Sequence, residues 1–110
     1  MKALAVLGLA LALPIGLAAQ APDGQALYRE HCRTCHGTTG APTQRARTQY
    51  GKIPNLADAA FLAGRSVDSL VAVLEHGSGK DMKSFKEKLS HDQMVAVAQY
   101  VKTLAQPRTP

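Results

Sequence analysis

Cys32, Cys35 and His36, in the stretch "CRTCH", are the residues whose types and spacing could do chemistry. Several uses compete for a cysteine pair three positions apart. A disulfide shuttle needs the pair to open a helix after a strand in a mixed sheet. A structural zinc site needs four ligands in a tetrahedron. Cys32, Cys35 and His36 leave it one short, and completing it with His76 or His91 gives a spacing that matches no common zinc pattern. A plain bridge would close a loop of two intervening residues and stabilise little by loop entropy. None of these requires a histidine at position 36. Covalent attachment of a haem does: two thiols add across the two vinyl groups, and the adjacent imidazole turns back to bind the iron.

The elements that would position these residues read as helix. "DGQALYREHCRTCHG" opens on Asp23 as an N-cap and stops at Gly37. "GTTGAPTQRARTQYGKIPNL" is polar, punctuated by Gly and Pro and without a period, which predicts a long loop. A short helical turn is expected around Ala59 to Ala63. "SVDSLVAVLEHG" sets Val67, Leu70, Val71 and Leu74 on one face between Ser66 and Gly77. "GSGKDMKSFKEKL" is again irregular. "SHDQMVAVAQYVKTLA" is the strongest helix, with Ser90 and Gln93 as a capping box and Met94, Val97, Val101 and Leu104 as its stripe. No alternating strand pattern competes, so a disulfide shuttle lacks its sheet. The expected fold class is all-α, a small helical bundle.

The compartment changes what the cysteines mean. Lys2 is followed by an apolar run, Ala3 to Leu13, then by Pro14, Gly16 and small residues at Ala18, Ala19 and Ala21. This is the layout of a signal peptide over residues 1–21, cleaved near Ala19 or Ala21. It predicts an exported, periplasmic protein, held to a membrane only if the leader stays uncleaved. Without Lys2 the chain keeps 12 Lys and Arg against 8 Asp and Glu, a net charge of +4. That is a modest charge for nucleic acid, which is not expected as a partner. With five aromatic residues and no tryptophan, the core needs a staple such as a metal or prosthetic group. The domain is expected over 22–106, with a frayed tail over 107–110.

Four stretches carry a resemblance: "GQALYREHCRTCHG", "IPNLAD", "GKDMKSF" and "LSHDQMVAVAQYVKTL". Residues 23 to 105 resemble a class I, monohaem c-type cytochrome. The resemblance implies helices wrapped around one haem c, attached through Cys32 and Cys35, with His36 as one iron ligand. It implies a close crossing of the first and last helices, with Gly24 letting the backbones approach and Tyr28 facing Tyr100. It implies a methionine from the loop before the last helix as the second ligand. Met82 occupies that loop, with Phe85 as its aromatic; Lys83 stands where the family often has proline. Met94 lies on an apolar stripe and reads as core. His76, at a helix end, and His91, in a first turn, are the rivals and read as surface. Pro54 matches the family proline whose carbonyl faces the far nitrogen of the axial imidazole, and Leu56 would pack on the ring. Arg45, Arg47 and Tyr50 read first as surface loop, and are the candidates to reach the propionates.

The function implied is single-electron transfer by a carrier that is not itself an enzyme. The alternatives are a haem subunit of a larger redox enzyme, or a gas-binding or catalytic haem protein if Met82 is not a ligand. Lys80, Lys83, Lys86 and Lys88, against Asp81 and Glu87, give a local +2 beside Met82 and suit an acidic surface on a redox partner.

Overall fold

The computed structural model describes residues 21–105, together with Ala3, Ala5 and Gly8; the expected leader and frayed tail lie otherwise outside the described residues. Six helices follow in order: α1 (Gly24–His31), α2 (Arg33–His36), α3 (Gln44–Tyr50), α4 (Ala59–Leu62), α5 (Val67–His76) and α6 (His91–Thr103). Among the described residues the only extended pairing is one isolated bridge between Ser78 and Met82. The all-α class follows.

Local chemistry sets most of the boundaries. Asp23, Thr43, Asp58, Ser66 and Ser90 each accept a backbone N–H from the first turn of the helix that follows. Such caps contribute about 1 kcal/mol apiece. At α6 the box is reciprocal: Ser90 Oγ accepts from the Gln93 amide at 3.2 Å, and the Ser90 amide donates to Gln93 Oε1 at 2.8 Å. Gly77, at φ 77°, ends α5 as its position suggested.

Two local features differ from the sequence reading. The stretch expected to be one long loop contains α3. Thr43 caps it and Gly51, at φ 75°, ends it, but Ala46 is its one buried residue. A helix that buries a single small side chain has no apolar stripe, so periodicity cannot reveal it. The first helix is also broken at Cys32, where the backbone opens to φ −118° and ψ −27°. The Cys32 amide still donates to the Tyr28 carbonyl at 2.8 Å, while the Cys32 carbonyl accepts from His36 at 2.9 Å. These two bonds bracket the break, and α2 follows it at once.

The core lies where α6 packs against both α1 and α5. Met94, Val97, Ala98 and Val101 of α6 meet Tyr28 and Cys32 from α1 and its end, and Val71 and Leu74 from α5. Gly24 sits at the crossing. A Cβ there would collide with the Ala96 carbonyl and lie 3.2 Å from Tyr100 Cβ. The ring of Tyr28, fully buried, lies 5.3 Å from that of Tyr100 with the planes tilted by 59°. The close crossing and the aromatic pair expected from the resemblance are both present.

Candidate functional site

The break at Cys32 decides how the motif is displayed. Cys32 turns into the core and is 8% exposed, whereas Cys35, on α2, is half-buried. Burial, and secondarily the neighbouring Cys35 sulfur, push the Cys32 thiol up to about 11. The sulfurs are not bridged to each other. His36 closes α2. Burial lowers the pKa of its imidazole, favouring the neutral form, and the nearby Pro54 carbonyl acts in the opposite direction. That carbonyl does not reach full hydrogen-bond geometry: Nδ1 is buried without a hydrogen-bond partner. A buried nitrogen left unpaired is costly. A neutral imidazole is the form that ligates a metal, and a carbonyl facing its other nitrogen orients the ring for it. Two thiols one turn apart, with this imidazole directly after them, fit covalent haem.

The turn after His36 is built to bring distant chain close. Gly37 has φ 78°, and a Cβ there would run into the Ala41 carbonyl. Its own carbonyl accepts the Tyr28 hydroxyl at 2.7 Å. Gly40, at φ 94°, lies against Leu56 and Ala57, and its carbonyl accepts the Leu56 amide at 2.9 Å. The "IPNL" segment is thereby tied to the turn that follows the motif. Leu56 is buried in the core, while Pro54 is exposed at its side chain and faces His36 through its carbonyl.

Met82 comes from the loop between α5 and α6. The Ser78 amide donates to the Met82 carbonyl at 2.8 Å, and the Phe85 amide donates to the Leu74 carbonyl at 2.8 Å. The Ser84 hydroxyl donates to the Glu75 carbonyl at 2.5 Å. A Cβ on Gly77 would lie 2.6 Å from the Met82 oxygen and 2.9 Å from the Ser84 nitrogen, so the loop folds directly onto the end of α5. Met82 is half-buried and packs against the same core as Cys32 and Leu56. Met94, by contrast, is 2% exposed within α6.

The rival histidines lie elsewhere. His76 is exposed at the end of α5, and His91 is exposed with Nδ1 3.5 Å from a Glu75 carboxylate oxygen. Among the described residues no group of three or more His, Cys, Asp or Glu side chains is placed to hold a metal ion. Arg45 and Arg47 are exposed on α3, and Tyr50 is half-buried, its hydroxyl accepting from Gln49 at 3.1 Å. Lys80, Lys83, Lys86 and Lys88 are all exposed around Met82.

Two contacts near the site carry no signal in the sequence alone. Tyr28 reaches the backbone behind His36. His31, just before Cys32, makes an edge-on ring contact with Phe85 at 6.1 Å and 82°.

The profile described as "Cytochrome C oxidase, cbb3-type, subunit III" matches residues 19–101. The chain is similar to the Cbb3-type cytochrome c oxidase subunit CcoP of Rhodobacter capsulatus, 34% identical over 92 residues, which cover 77% of this chain and 29% of that protein. It is also similar to the Dihydro-heme d1 dehydrogenase of Pseudomonas aeruginosa, 56% identical over 34 residues, 29% of this chain and 7% of that protein. The chain thus spans less than a third of the length of these curated relatives. Among solved structures, the KustC0563 c-type cytochrome superposes with a TM-score of 0.68 at 32% identity, covering 76% of this chain and 99% of that one.

Proposed function

We propose that this chain, which belongs to the cbb3-type cytochrome c oxidase subunit III family of c-type cytochromes and so carries covalently bound haem c, moves single electrons between redox partners, with His36 and Met82 as its iron ligands. The observation that carries the reading is the half-buried His36 imidazole, its Nδ1 shielded from solvent beside the Pro54 carbonyl, directly following the cysteine pair. Bound haem c supplies a one-electron couple. The chain's own residues do the rest. Cys32 and Cys35 anchor the group. His36 offers a neutral nitrogen beside the Pro54 carbonyl, which steadies the ring and raises its basicity. Met82 offers a thioether, a ligand that favours the reduced state and a high potential. Leu56 and the α6 stripe exclude water. With both axial positions filled no substrate can bind, which suits a carrier and not a catalyst.

The test is one pair of absorption spectra, oxidised and reduced, with and without carbon monoxide, followed by acid-acetone extraction. The expected protein keeps its haem on extraction, shows the methionine-to-iron absorbance when oxidised, and does not bind carbon monoxide. Ready binding of carbon monoxide would instead support a gas-binding or catalytic protein.

A second reading is favoured by the relatives: the chain serves as a haem subunit in a larger oxidase assembly, as the CcoP name says of that protein. Co-migration of the native haem with other subunits on a native gel distinguishes the two. Export rests on the leader, and none of the described helices is long and apolar enough to cross a membrane. Recovery in the periplasmic fraction with a mass lacking residues 1–19 or 1–21 is the expected outcome.

A further inference from the structure

The hydrogen bonds that hold the Met82 loop run to α5 or stay within the loop. Ser78, Ser84 and Phe85 each make their hydrogen bond to that helix or within the loop itself. The element that carries the cysteines is α1 with its continuation, and a ring contact joins it to this loop. His31, the last residue of α1, sets its imidazole edge-on to Phe85 at 6.1 Å with the planes 82° apart. Edge-to-face is the geometry that aromatic quadrupoles favour, the positive rim of one ring meeting the negative face of the other. The His31 side chain is only 21% exposed, so the contact is sheltered from water. Phe85 is itself fixed: its amide is held by Leu74, its carbonyl accepts from Lys88 and Leu89, and the Lys88 ammonium lies 5.8 Å from its ring centroid.

We infer that His31 is a positioning residue for the iron's methionine side, a clasp that through Phe85 holds the Met82 loop closed against the element bearing Cys32, Cys35 and His36. This rests on the reading of Met82 as an iron ligand. The argument is one of population. The loop's hydrogen bonds reach α5 and the loop itself, so it can part from α1 by giving up side-chain contacts alone, carrying Met82 away from the haem side of the fold. The His31–Phe85 contact exists only when the two sides are together, so it adds its free energy to the closed state and none to the open one. An external ligand that competes with Met82 binds only the open state. Its apparent affinity therefore rises by the factor by which the clasp is weakened, about three- to tenfold for one lost ring contact.

The experiment measures imidazole affinity and the methionine-to-iron absorbance of the oxidised holoprotein in four proteins: wild type, His31→Ala, His31→Phe and Met82→Ala. His31→Ala is expected to bind imidazole about three- to tenfold more tightly and to lose part of that absorbance. His31→Phe, which restores a ring edge, is expected to behave as wild type. Should His31→Ala fail to fold with haem, Phe85→Leu removes the same contact from the other side and is expected to give the same gain. Wild-type affinity in either contact-deleting variant, with a clear gain in Met82→Ala, overturns the clasp and leaves the ligand reading intact. So does a His31→Phe protein that behaves like His31→Ala. No gain in Met82→Ala overturns the ligand reading, and the clasp with it.

Discussion

The hydroxyl of Tyr28 on α1 donates to the carbonyl of Gly37 at 2.7 Å, across the back of the segment that holds Cys32, Cys35 and His36. Tyr28 has no exposed surface, and burial pushes its phenol well above the usual tyrosine range, so the proton that makes this bond stays in place at any working pH. Its ring meanwhile packs on Tyr100 of α6. One side chain thus links the first helix, the last helix and the turn that follows His36.

Tyr28→Phe keeps the ring pair and removes the bond. It leaves the Gly37 carbonyl with the long 3.4 Å bond from the Gly40 amide alone, an expected loss of about 0.5–1.5 kcal/mol in urea unfolding of the holoprotein. Tyr28→Ala also empties the space at the helix crossing and is expected to cost about 3–5 kcal/mol. Equal midpoints for wild type and Tyr28→Phe would show that water replaces the hydroxyl.

Gly24→Ala tests the crossing itself. The new methyl meets the Ala96 carbonyl, a backbone atom that cannot swing aside, so α1 must shift on α6. Overpacking of this kind costs about 1–3 kcal/mol. Alanine's better helix propensity returns at most about 1 kcal/mol at a first-turn position. A net fall in thermal midpoint is the expected result, and a rise would place the helices farther apart than described.

The two internal methionines should separate cleanly. Met94→Ala removes a side chain that is 2% exposed and is expected to cost about 2–5 kcal/mol in stability with the spectrum preserved. Met82→Ala is expected to change stability less, lower the reduction potential and admit carbon monoxide. A preserved potential in Met82→Ala would make His76 the next residue to replace.

The lysines beside Met82 are expected to act on rate, not on the couple. Lys83→Glu and Lys86→Glu should slow the second-order reaction with an acidic redox protein about tenfold at low salt, with potential and spectrum unchanged. Rising salt should remove the difference, because screening shortens the reach of exposed charges. Arg29→Glu and Lys102→Glu, exposed on α1 and α6, serve as controls. Equal losses from these would reduce the four lysines to ordinary surface charge.

Helices that bury a stripe were legible before any coordinates. α5 and α6 announce themselves through Ser66, Ser90, Gln93 and the apolar positions between them, and the observed caps are those residues. α3 was not legible, because Ala46 alone carries its burial and the Gly and Pro around it signal loop. The break at Cys32 was not legible either, since neither Gly nor Pro marks it. The motif residues could be named from spacing alone. What spacing cannot give is contact between residues far apart in sequence. The Pro54 carbonyl was expected behind His36 and does face it, but Nδ1 remains without a full hydrogen bond. The meeting of His31 with Phe85 had no sequence counterpart, for a T-shaped pair leaves no mark on periodicity or composition.

The pairing of α1 with α6 also imposes an order of events on a newly made chain. Nearly all of the described sequence must be synthesised before Gly24 has an Ala96 to lie against or Tyr28 a Tyr100. Long-range pairings of this kind close last, because the connecting chain must first surrender its freedom. Until then Cys32 lacks the helix that covers it. Both thiols are open to modification during that interval, and the arrival of α6 shuts Cys32 away. Closure of this one crossing is thus expected to mark the moment at which Cys32 passes from an open thiol to part of the core.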